Sequence, residues 1–389
     1  MKRTYYSGKD FRRAITIEDL RRIARRRLPN FIYEYVEGGA EDEVTLKRNR
    51  DVFERIRWLP RALVGLWPPD LRTELFGRPQ GLPLVIGPTG FNGMLWPQGD
   101  IALASAAAAA GIPFALSTAS NCSLARLAAA VQGERWFQLY PYKDETVVDR
   151  LVDRAAETGC GALVITADAP VLGAREWDQR NYRAPMKLSA ASIVDVLLHP
   201  NWLARVMLPS RAPTFENLQE FLPPGHHSAL VGAKYSFSQI NPRLSWKDVE
   251  RLRSRWSAKL VVKGLLCIED ARRAADVGAD GIVLSNHGGR QLDGAASGVE
   301  LLPAVASELG DRLTVMVDGG FRRGTDVLKA LALGADAVWL GRATLYGLAA
   351  GGEAGATHAL GILRSEMERG MALLGCHTVA DLGRHLIRS

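Results

Sequence analysis

Residues 259–289 read KLVVKGLLCIEDARRAADVGADGIVLSNHGG. Two short apolar runs, KLVVKGL and GIVL, flank an alanine-rich stretch, IEDARRAADVG, that closes on glycine. Short apolar runs bounded by turn residues are typical of buried parallel strands, and glycine commonly follows the end of a helix. The stretch therefore predicts a strand, a helix and a second strand parallel to the first.

The same alternation recurs along the chain. Eight apolar runs each end in a polar or glycine-rich turn, at residues 82–90, 112–120, 136–142, 161–170, 259–265, 281–289, 313–320 and 337–343. Eight strand–helix units predict an α/β fold of the closed (β/α)8 type, a TIM barrel. A doubly wound open sheet is the alternative, but the GxGxxG pattern typical of its first turn is missing.

Two regions lie outside this alternation. Residues 1–80 precede the first run and predict an N-terminal helical cap. The interval between the fourth and fifth runs is much longer than a normal connection, which predicts an insertion at about residues 186–237. Because no Gly/Ser-rich linker divides the chain, we predict a single domain over residues 1–389, with the barrel at about 82–375.

The composition narrows the class of protein. Hydrophobic residues make up 47% and charged residues 23%, as in ordinary globular proteins. The four cysteines lie far apart without a CxxC pair, which predicts neither a disulfide framework nor a metal site and favours the cytoplasm. The net charge is +7, but the arginines are spread along the chain and no nucleic-acid motif is present, so we expect no nucleic-acid partner.

The seventh and eighth runs end in glycines followed by arginines. In TIM barrels the active site lies at the carboxyl ends of the strands, and the last two turns often bind phosphate through main-chain N–H groups. Arginine side chains add charge-assisted hydrogen bonds. The alternative is that the glycines only allow tight turns and the arginines form surface ion pairs. The phosphate interpretation assigns Gly319, Gly320, Arg322, Gly341 and Arg342 to the site, and Asp318 stands beside them at the end of the seventh run.

Fixed polar groups follow the other strands. Donors and acceptors of this kind suit the edge of a flat heterocycle. A buried lysine is unfavourable unless it meets negative charge, and a reduced flavin would supply that charge. A salt bridge is the other explanation of the lysine. Combined with the phosphate turns, the pattern predicts FMN, bound by Thr89, Gly90, Ser117, Gln138, Thr166 and Lys263.

A second group of strand-end residues suits a small acid. Arg175 and Arg290 could clamp a carboxylate, and the hydroxyls of Tyr35 and Tyr140 could complete the shell. His287 stands beside Arg290 and could accept a proton from a 2-hydroxy acid. The carboxylate at the end of the fourth strand, Asp168, could orient that imidazole.

Several motifs together resemble the FMN-dependent L-2-hydroxy acid dehydrogenase/oxidase family over nearly the whole chain. They are PLVIGPTG (83–90), FQLY (137–140), TADAP (166–170), LVVKG (260–264), SNHGGRQLD (285–293), VDGGFRRGTDVLKALALGA (317–335) and WLGRATLYGLAAGGEAG (339–355). The resemblance implies an active enzyme with His287 as the base, assisted by Asp168, Tyr140 and Arg290. It implies that Tyr35, Arg175 and Gly90 also contact substrate, and it adds Pro88 and Ser285 to the FMN contacts.

Among members of the family, (S)-mandelate dehydrogenase is the one that GPTGFNG, STASN, HPNW and GFRRG resemble most. Gly90 stands where glycolate oxidase has alanine, which leaves room for an aromatic substituent. The expected reaction is oxidation of (S)-mandelate to benzoylformate. L-lactate dehydrogenase linked to quinone, or an oxidase using oxygen, is the alternative. His287 could take either the C2 proton or the hydroxyl proton. An isomerase with a phosphate site would not need Arg175, Arg290 and His287 together.

The insertion contains IVDVLLHPNWLARVML (193–208), in which apolar residues share two helical faces on either side of Pro200. Such a segment is too short to span a bilayer but suits its interface. The resemblance implies peripheral contact with the cytoplasmic face of the inner membrane, quinone or another electron acceptor, and a homotetramer. The alternative is that these faces pack on the barrel or on a partner subunit.

Overall fold

The computed structural model describes residues 6–65, 67–184, 187–208, 213–226 and 229–388. Eight parallel strands form a closed barrel, and Leu340 of the last strand pairs with Ile86 of the first. The strands are Leu84–Ile86, Phe114–Ser117, Arg135–Leu139, Ala162–Thr166, Lys259–Leu265, Gly281–Leu284, Thr314–Val317 and Ala337–Leu340. The (β/α)8 prediction is confirmed, whereas the bounds of a single domain stay a prediction.

Each strand is apolar on both faces, because one face packs inside the barrel and the other packs on the outer helices. In the fourth strand, Ala162 and Val164 belong to the cluster inside the barrel, while Leu163 and Ile165 pack on the outer helices. Alternation of this kind explains why the runs read as continuous apolar sequence.

Aromatic side chains fill the interior from the amino ends of the strands. A hairpin of Thr73–Leu75 and Arg78–Gln80 lies at that end, and its Leu75 is part of the interior cluster. The ring of Phe76 lies 5.7 Å from that of Trp136, which lies 5.6 Å from that of Trp339. Apolar side chains thus occupy the interior towards the amino ends of the strands, and the polar side chains lie at the carboxyl rim.

Helices surround the barrel in the positions that the alternation predicts. A short helix, Asn92–Leu95, precedes the first outer helix, and Gly351 and Gly352 break the last helix into two segments. The outer helices are Gly99–Ala109, Leu124–Ala130, Glu145–Glu157, Trp246–Arg255, Ile268–Asp276, Gly298–Leu309, Gly324–Ala332 and Arg342–Leu374.

The N-terminal region forms the predicted helical cap. Its three helices are Ile17–Arg27, Asn30–Glu37 and Val44–Arg55. The Thr16 hydroxyl accepts from the main-chain N–H of Asp19, whose carboxylate accepts from that of Thr16, so the first helix begins in a capping box. Short elements complete the chain: two paired strands, Arg57–Trp58 and Ile387–Arg388, and 3-10 turns at Phe11–Arg13, Val379–Asp381 and Arg384–Leu386.

The insertion lies between the fourth and fifth barrel strands and is mostly helical. Its described elements are Glu176–Gln179, Tyr182–Ala184, Lys187–Leu188, Ala190–Leu197, Pro200–Trp202, Leu203–Met207, Gln219–Phe221 and Ala229–Ser238. Among the described residues, no helix is both long enough and apolar enough to cross a bilayer.

The two halves of segment 193–208 differ. Ile193, Val194, Leu197 and Leu198, which we call the 193–198 face, have relative exposures of 50%, 57%, 64% and 73%. By contrast, Trp202 is only 5% exposed, and its indole N–H donates to the main-chain oxygen of Met94 over 2.8 Å. Val206 is also buried. Trp202 and Val206 therefore pack on the body of the protein and do not face a membrane, whereas Leu208 of the same half is 74% exposed.

Candidate functional site

A cavity opens at the carboxyl rim of the barrel and gathers residues from all eight strands. Tyr35, from the second cap helix, also reaches it. The predicted residues that line it are Tyr35, Pro88, Thr89, Gly90, Ser117, Gln138, Tyr140, Thr166, Arg175, Lys263, His287, Arg290, Asp318, Gly319, Gly320, Arg322, Gly341 and Arg342. Two predicted residues, Asp168 and Ser285, lie just behind its wall and contact residues that line it.

His287 and Asp168 form a partly buried pair at the rim. The Nδ1 atom of His287 lies 3.0 and 3.2 Å from the carboxylate oxygens of Asp168. Burial alone raises the pKa of Asp168, but the charge and hydrogen bond of His287 outweigh burial, so this pKa lies below its usual value. An ionised carboxylate only accepts hydrogen bonds. Nδ1 therefore carries a proton, and the lone pair of neutral His287 lies on Nε2, as a general base requires.

The main chain at His287 is in the left-handed region, with φ +58°. Its N–H donates to the Ser285 hydroxyl oxygen over 3.0 Å. The same oxygen accepts from the Lys263 ammonium over 2.8 Å. Ser285 thus links the histidine to the lysine from behind the cavity, and its predicted contact with FMN stays a prediction.

Lys263 is buried and balanced by two carboxylates. Its ammonium lies 2.9 Å from an Asp318 oxygen. Burial lowers the pKa of Lys263, but the charges of Asp318 and Asp168 more than offset burial, so the pKa is raised. The ammonium has a third N–H beyond those directed at Asp318 and Ser285. The second oxygen of Asp318 is buried and accepts no hydrogen bond from the described protein, which marks an acceptor directed at a ligand.

Three side chains form a hydrogen-bonded row on the neighbouring strands. The Ser117 hydroxyl donates to the Gln138 amide oxygen over 2.7 Å, and the Gln138 amide nitrogen donates to the Thr166 hydroxyl over 2.9 Å. All three are buried. The row fixes the orientation of the Gln138 amide and so presents a defined edge of donors and acceptors.

Arg290 is partly buried and lies close to two other guanidinium groups. It donates to the main-chain oxygens of Tyr35 and Gly38 over 2.7 and 2.8 Å. Burial and the charges of Arg175 and Arg342 lower the pKa of Arg290 to about 9. An anion bound between these groups would relieve their repulsion, so this part of the site selects a negatively charged ligand.

The turns after the seventh and eighth strands form the other end of the cavity. Gly319 and Gly320 have φ +100° and +84°, which only glycine adopts easily. Gly341 directly precedes the helix that begins at Arg342, so main-chain N–H groups of a helix start lie at this end. Arg342 donates to the main-chain oxygens of Val36, Gly38 and Gly288, and two of its five N–H groups remain for a ligand.

The residues that line the cavity carry an excess of positive charge. Five fixed cations line it, against a single described carboxylate, Asp318; the cations are Arg175, Lys263, Arg290, Arg322 and Arg342. This excess of cations around a base suits one ligand that carries phosphate and another that carries carboxylate.

Sequence reasoning did not assign a role to Phe237, which lines the cavity, or to Gln291, which lies behind it. Phe237, on the insertion helix Ala229–Ser238, lines the cavity and also a larger neighbouring cavity of about 1050 Å³. Gln291 belongs to a motif that we quoted, but its neutral amide gave no electrostatic signal. The sequence therefore offers no signal for Gln291 beyond its place next to Arg290.

Comparison with known proteins identifies related chains. The model of the family described as FMN-dependent dehydrogenase matches residues 24–389. (S)-mandelate dehydrogenase of Pseudomonas putida is 46% identical over 370 residues, which cover 94% of this chain and 92% of that protein. L-lactate dehydrogenase of Caulobacter sp. (strain K31) is 42% identical over 375 residues, 95% of this chain and 97% of that protein.

Solved structures with a similar fold come from related kinds of enzyme. A crystal structure described as the monotopic membrane protein (S)-mandelate dehydrogenase matches with a TM-score of 0.92 and 45% sequence identity. The match covers 97% of this chain and 99% of that chain. A structure of mandelate oxidase matches with a TM-score of 0.79 at 37% identity, over 96% of this chain and 98% of that one.

Proposed function

Because the chain belongs to the FMN-dependent dehydrogenase family, we propose that it oxidises (S)-mandelate to benzoylformate. One observation carries the acid–base part of this proposal: the His287–Asp168 pair lies on the same rim as two arginines, Arg175 and Arg290. A base beside a carboxylate clamp is what removal of hydrogen from C2 of a hydroxy acid requires.

FMN is the cofactor of the family, and the residues of the rim fit it. The unsatisfied oxygen of Asp318 suits a ribityl hydroxyl, and the Gly319–Gly320 turn with Arg322 and the helix start at Arg342 suits the phosphate. The Ser117–Gln138–Thr166 row and Lys263 suit the polar edge of the ring. When bound, FMN supplies a two-electron acceptor next to the substrate.

The side chains of the rim would hold and deprotonate the acid. Arg175 and Arg290 bind its carboxylate, and the Tyr35 and Tyr140 hydroxyls border the same space. Nε2 of His287 then takes one proton, either from C2 or from the hydroxyl. Asp168 accepts the hydrogen bond from Nδ1 in both cases and stabilises the imidazolium that forms.

A row of aromatic rings supports an aryl substituent. Successive ring centroids lie 5.3 Å (Tyr35–Phe91), 4.6 Å (Phe91–Phe215), 6.5 Å (Phe215–Phe237) and 6.4 Å (Phe237–Tyr140) apart. Such spacings are those of favourable edge-to-face contacts, which a phenyl group would extend.

Gly90 lies at one end of this row. A Cβ atom at Gly90 would lie 3.3 Å from the Tyr35 hydroxyl and from Ala119. Those contacts are tight, so an alanine here would press on Tyr35 as well as occupy substrate space. The second candidate is L-lactate, because lactate dehydrogenases are nearly as similar in sequence; a methyl substituent would leave the aromatic row without a partner.

Anaerobic reduction of the bound FMN separates these substrates. We expect (S)-mandelate to bleach the yellow protein with a higher kcat/KM than L-lactate. Phe237→Ala should lower kcat/KM for mandelate by about 10-fold or more and change that for lactate little, because only the phenyl group contacts this ring. Equal losses for both acids would show that Phe237 does not contact the phenyl group of mandelate. Bleaching by L-lactate alone would show that lactate is the substrate.

We further propose that the protein binds peripherally to the cytoplasmic face of the inner membrane through the 193–198 face. Four adjacent aliphatic side chains that are at least half exposed support a contact with an apolar phase. The relative of known structure that is described as a monotopic membrane protein points the same way. Quinone as electron acceptor and a homotetrameric assembly stay predictions from the family resemblance.

Serine at the four positions of the 193–198 face should abolish most binding to lipid vesicles. Because burial of aliphatic surface is the driving force, we expect the partition coefficient to fall about 10-fold or more. Cosedimentation with vesicles of anionic lipid measures the effect. The matched control replaces Ile15 and Leu373, which are 78% and 70% exposed elsewhere, by serine. If the control lowers binding equally, the 193–198 face has no special role.

A further inference from the structure

Gln291 connects the two loops that carry the acid–base pair and the arginines. Its amide nitrogen donates to the main-chain oxygens of Asp168 and Val171 over 2.8 and 2.9 Å. Its amide oxygen accepts from the main-chain N–H of Gly173 over 3.1 Å. The amide thereby uses both donors and its acceptor on one loop, while its own main chain directly follows Arg290.

The loop that Gln291 holds has no regular structure between the fourth strand and the helix that begins at Glu176. It carries Asp168 at one end and Arg175 at the other. A segment that lacks the main-chain hydrogen bonds of a helix or a β-sheet depends on side-chain partners for its position. Gln291 supplies three such contacts between these two residues.

The two loops also pack tightly against each other. A Cβ atom at Gly173 would lie 2.4 Å from the main-chain oxygen of Arg290 and 2.6 Å from that of Gln291, so only glycine allows this approach. In addition, Nε of Arg175 lies 3.4 Å from the Arg290 oxygen. The position of Arg175 is therefore coupled to the loop of Arg290 through the main chain.

From these contacts we propose that Gln291 is a positioning residue. It sets the loop of residues 168–175 against the loop of residues 287–290, so that Asp168 meets His287 and Arg175 meets the substrate carboxylate. The inference rests on the roles proposed above for these residues. Gln291 itself touches neither the reacting atoms nor the cofactor.

Two variants test this role. Gln291→Leu removes all three hydrogen bonds at similar size, and Gln291→Glu keeps the acceptor for Gly173 but places a carboxylate against two carbonyl oxygens. Displacement of reacting groups by about 1 Å costs about 100-fold, so we expect kcat/KM to fall by about that factor. Binding of benzoylformate, measured by calorimetry, should weaken at least about 10-fold because Arg175 is displaced. FMN content should stay at the wild-type level.

Leu292→Ala is the matched control, because Leu292 is the next residue and its side chain is 72% exposed. Amide hydrogen exchange should rise in residues 168–175 of the Gln291 variants and stay unchanged in Leu292→Ala. Exchange and binding of the carboxylate do not depend on turnover. If no 2-hydroxy acid reduces the wild type, the proposed function fails while exchange still tests the link.

Wild-type exchange in this loop, or benzoylformate affinity and kcat/KM within twofold of wild type, would overturn the proposal. Should Gln291→Leu fail to fold, Gln291→Glu still tests the role, because it keeps the size of the residue and the acceptor for Gly173 while it removes both donors. Loss of FMN together with activity in both variants would also contradict it, since a positioning role predicts that the cofactor stays bound.

Discussion

Replacement of His287 by asparagine is expected to slow reduction of the bound flavin about 1000-fold. Among the described residues that line the cavity, His287 is the only histidine. Its hydrogen bond to Asp168 leaves Nε2 as the proton acceptor. Asparagine is preferable to alanine because the main chain has φ +58°, which asparagine tolerates better. A lower rate then reports the lost proton acceptor rather than a distorted turn.

Rapid-mixing absorbance under anaerobic conditions measures this rate directly. The variant should remain yellow, because Lys263 and the phosphate turns are unchanged. His385→Asn, at an exposed position near the C-terminus, is the matched control and should reduce at the wild-type rate. If His287→Asn reduces its flavin within tenfold of the wild type, another group takes the proton and the assignment is wrong.

Arg290→Lys is expected to lower kcat/KM for mandelate about 100-fold or more, mainly through KM. A lysine keeps the charge but has no planar fork, so it cannot hold Tyr35 O and Gly38 O while binding a carboxylate in two places. Loss of one partner from a buried charged contact commonly costs 2–5 kcal/mol, which is roughly 30-fold to several thousand-fold.

Steady-state kinetics with mandelate, at equal FMN content, tests this expectation. Arg364→Lys provides the control, because its guanidinium pairs with Glu368 on the outer helix and is largely exposed. A KM within threefold of the wild type in Arg290→Lys would show that Arg175 alone anchors the substrate. The same result would also mean that the repulsion that lowers the pKa of Arg290 has no role in selecting an anion.

The fold could be predicted from sequence because local and global signals agree in this chain. The run at 259–265 coincides with the strand Lys259–Leu265, whereas the run at 82–90 yields only Leu84–Ile86, since its last residues form the loop that carries Thr89. A closed parallel barrel brings all carboxyl ends to one rim. Residues that are far apart in sequence, such as Gln138 and His287, could therefore be placed together before any coordinates.

The remaining features depend on tertiary contacts that leave no periodic pattern. Trp202 and Leu198 both lie in an apolar segment, yet one packs below the Met94 carbonyl and the other faces outward. Gln291 acts through main-chain atoms of another loop, and those atoms are the same in every residue type. Phe237 reaches the cavity only because the insertion folds back over the rim.

The stack of Phe76, Trp136 and Trp339 fills the axis of the barrel, with Trp339 lining the cavity from below and Phe76 lying towards the amino ends of the strands. These three rings leave no path for a small molecule along the axis of the barrel. If the chain oxidises a 2-hydroxy acid as proposed, we expect the acid to enter and the keto acid to leave through the carboxyl rim, where the cavity opens.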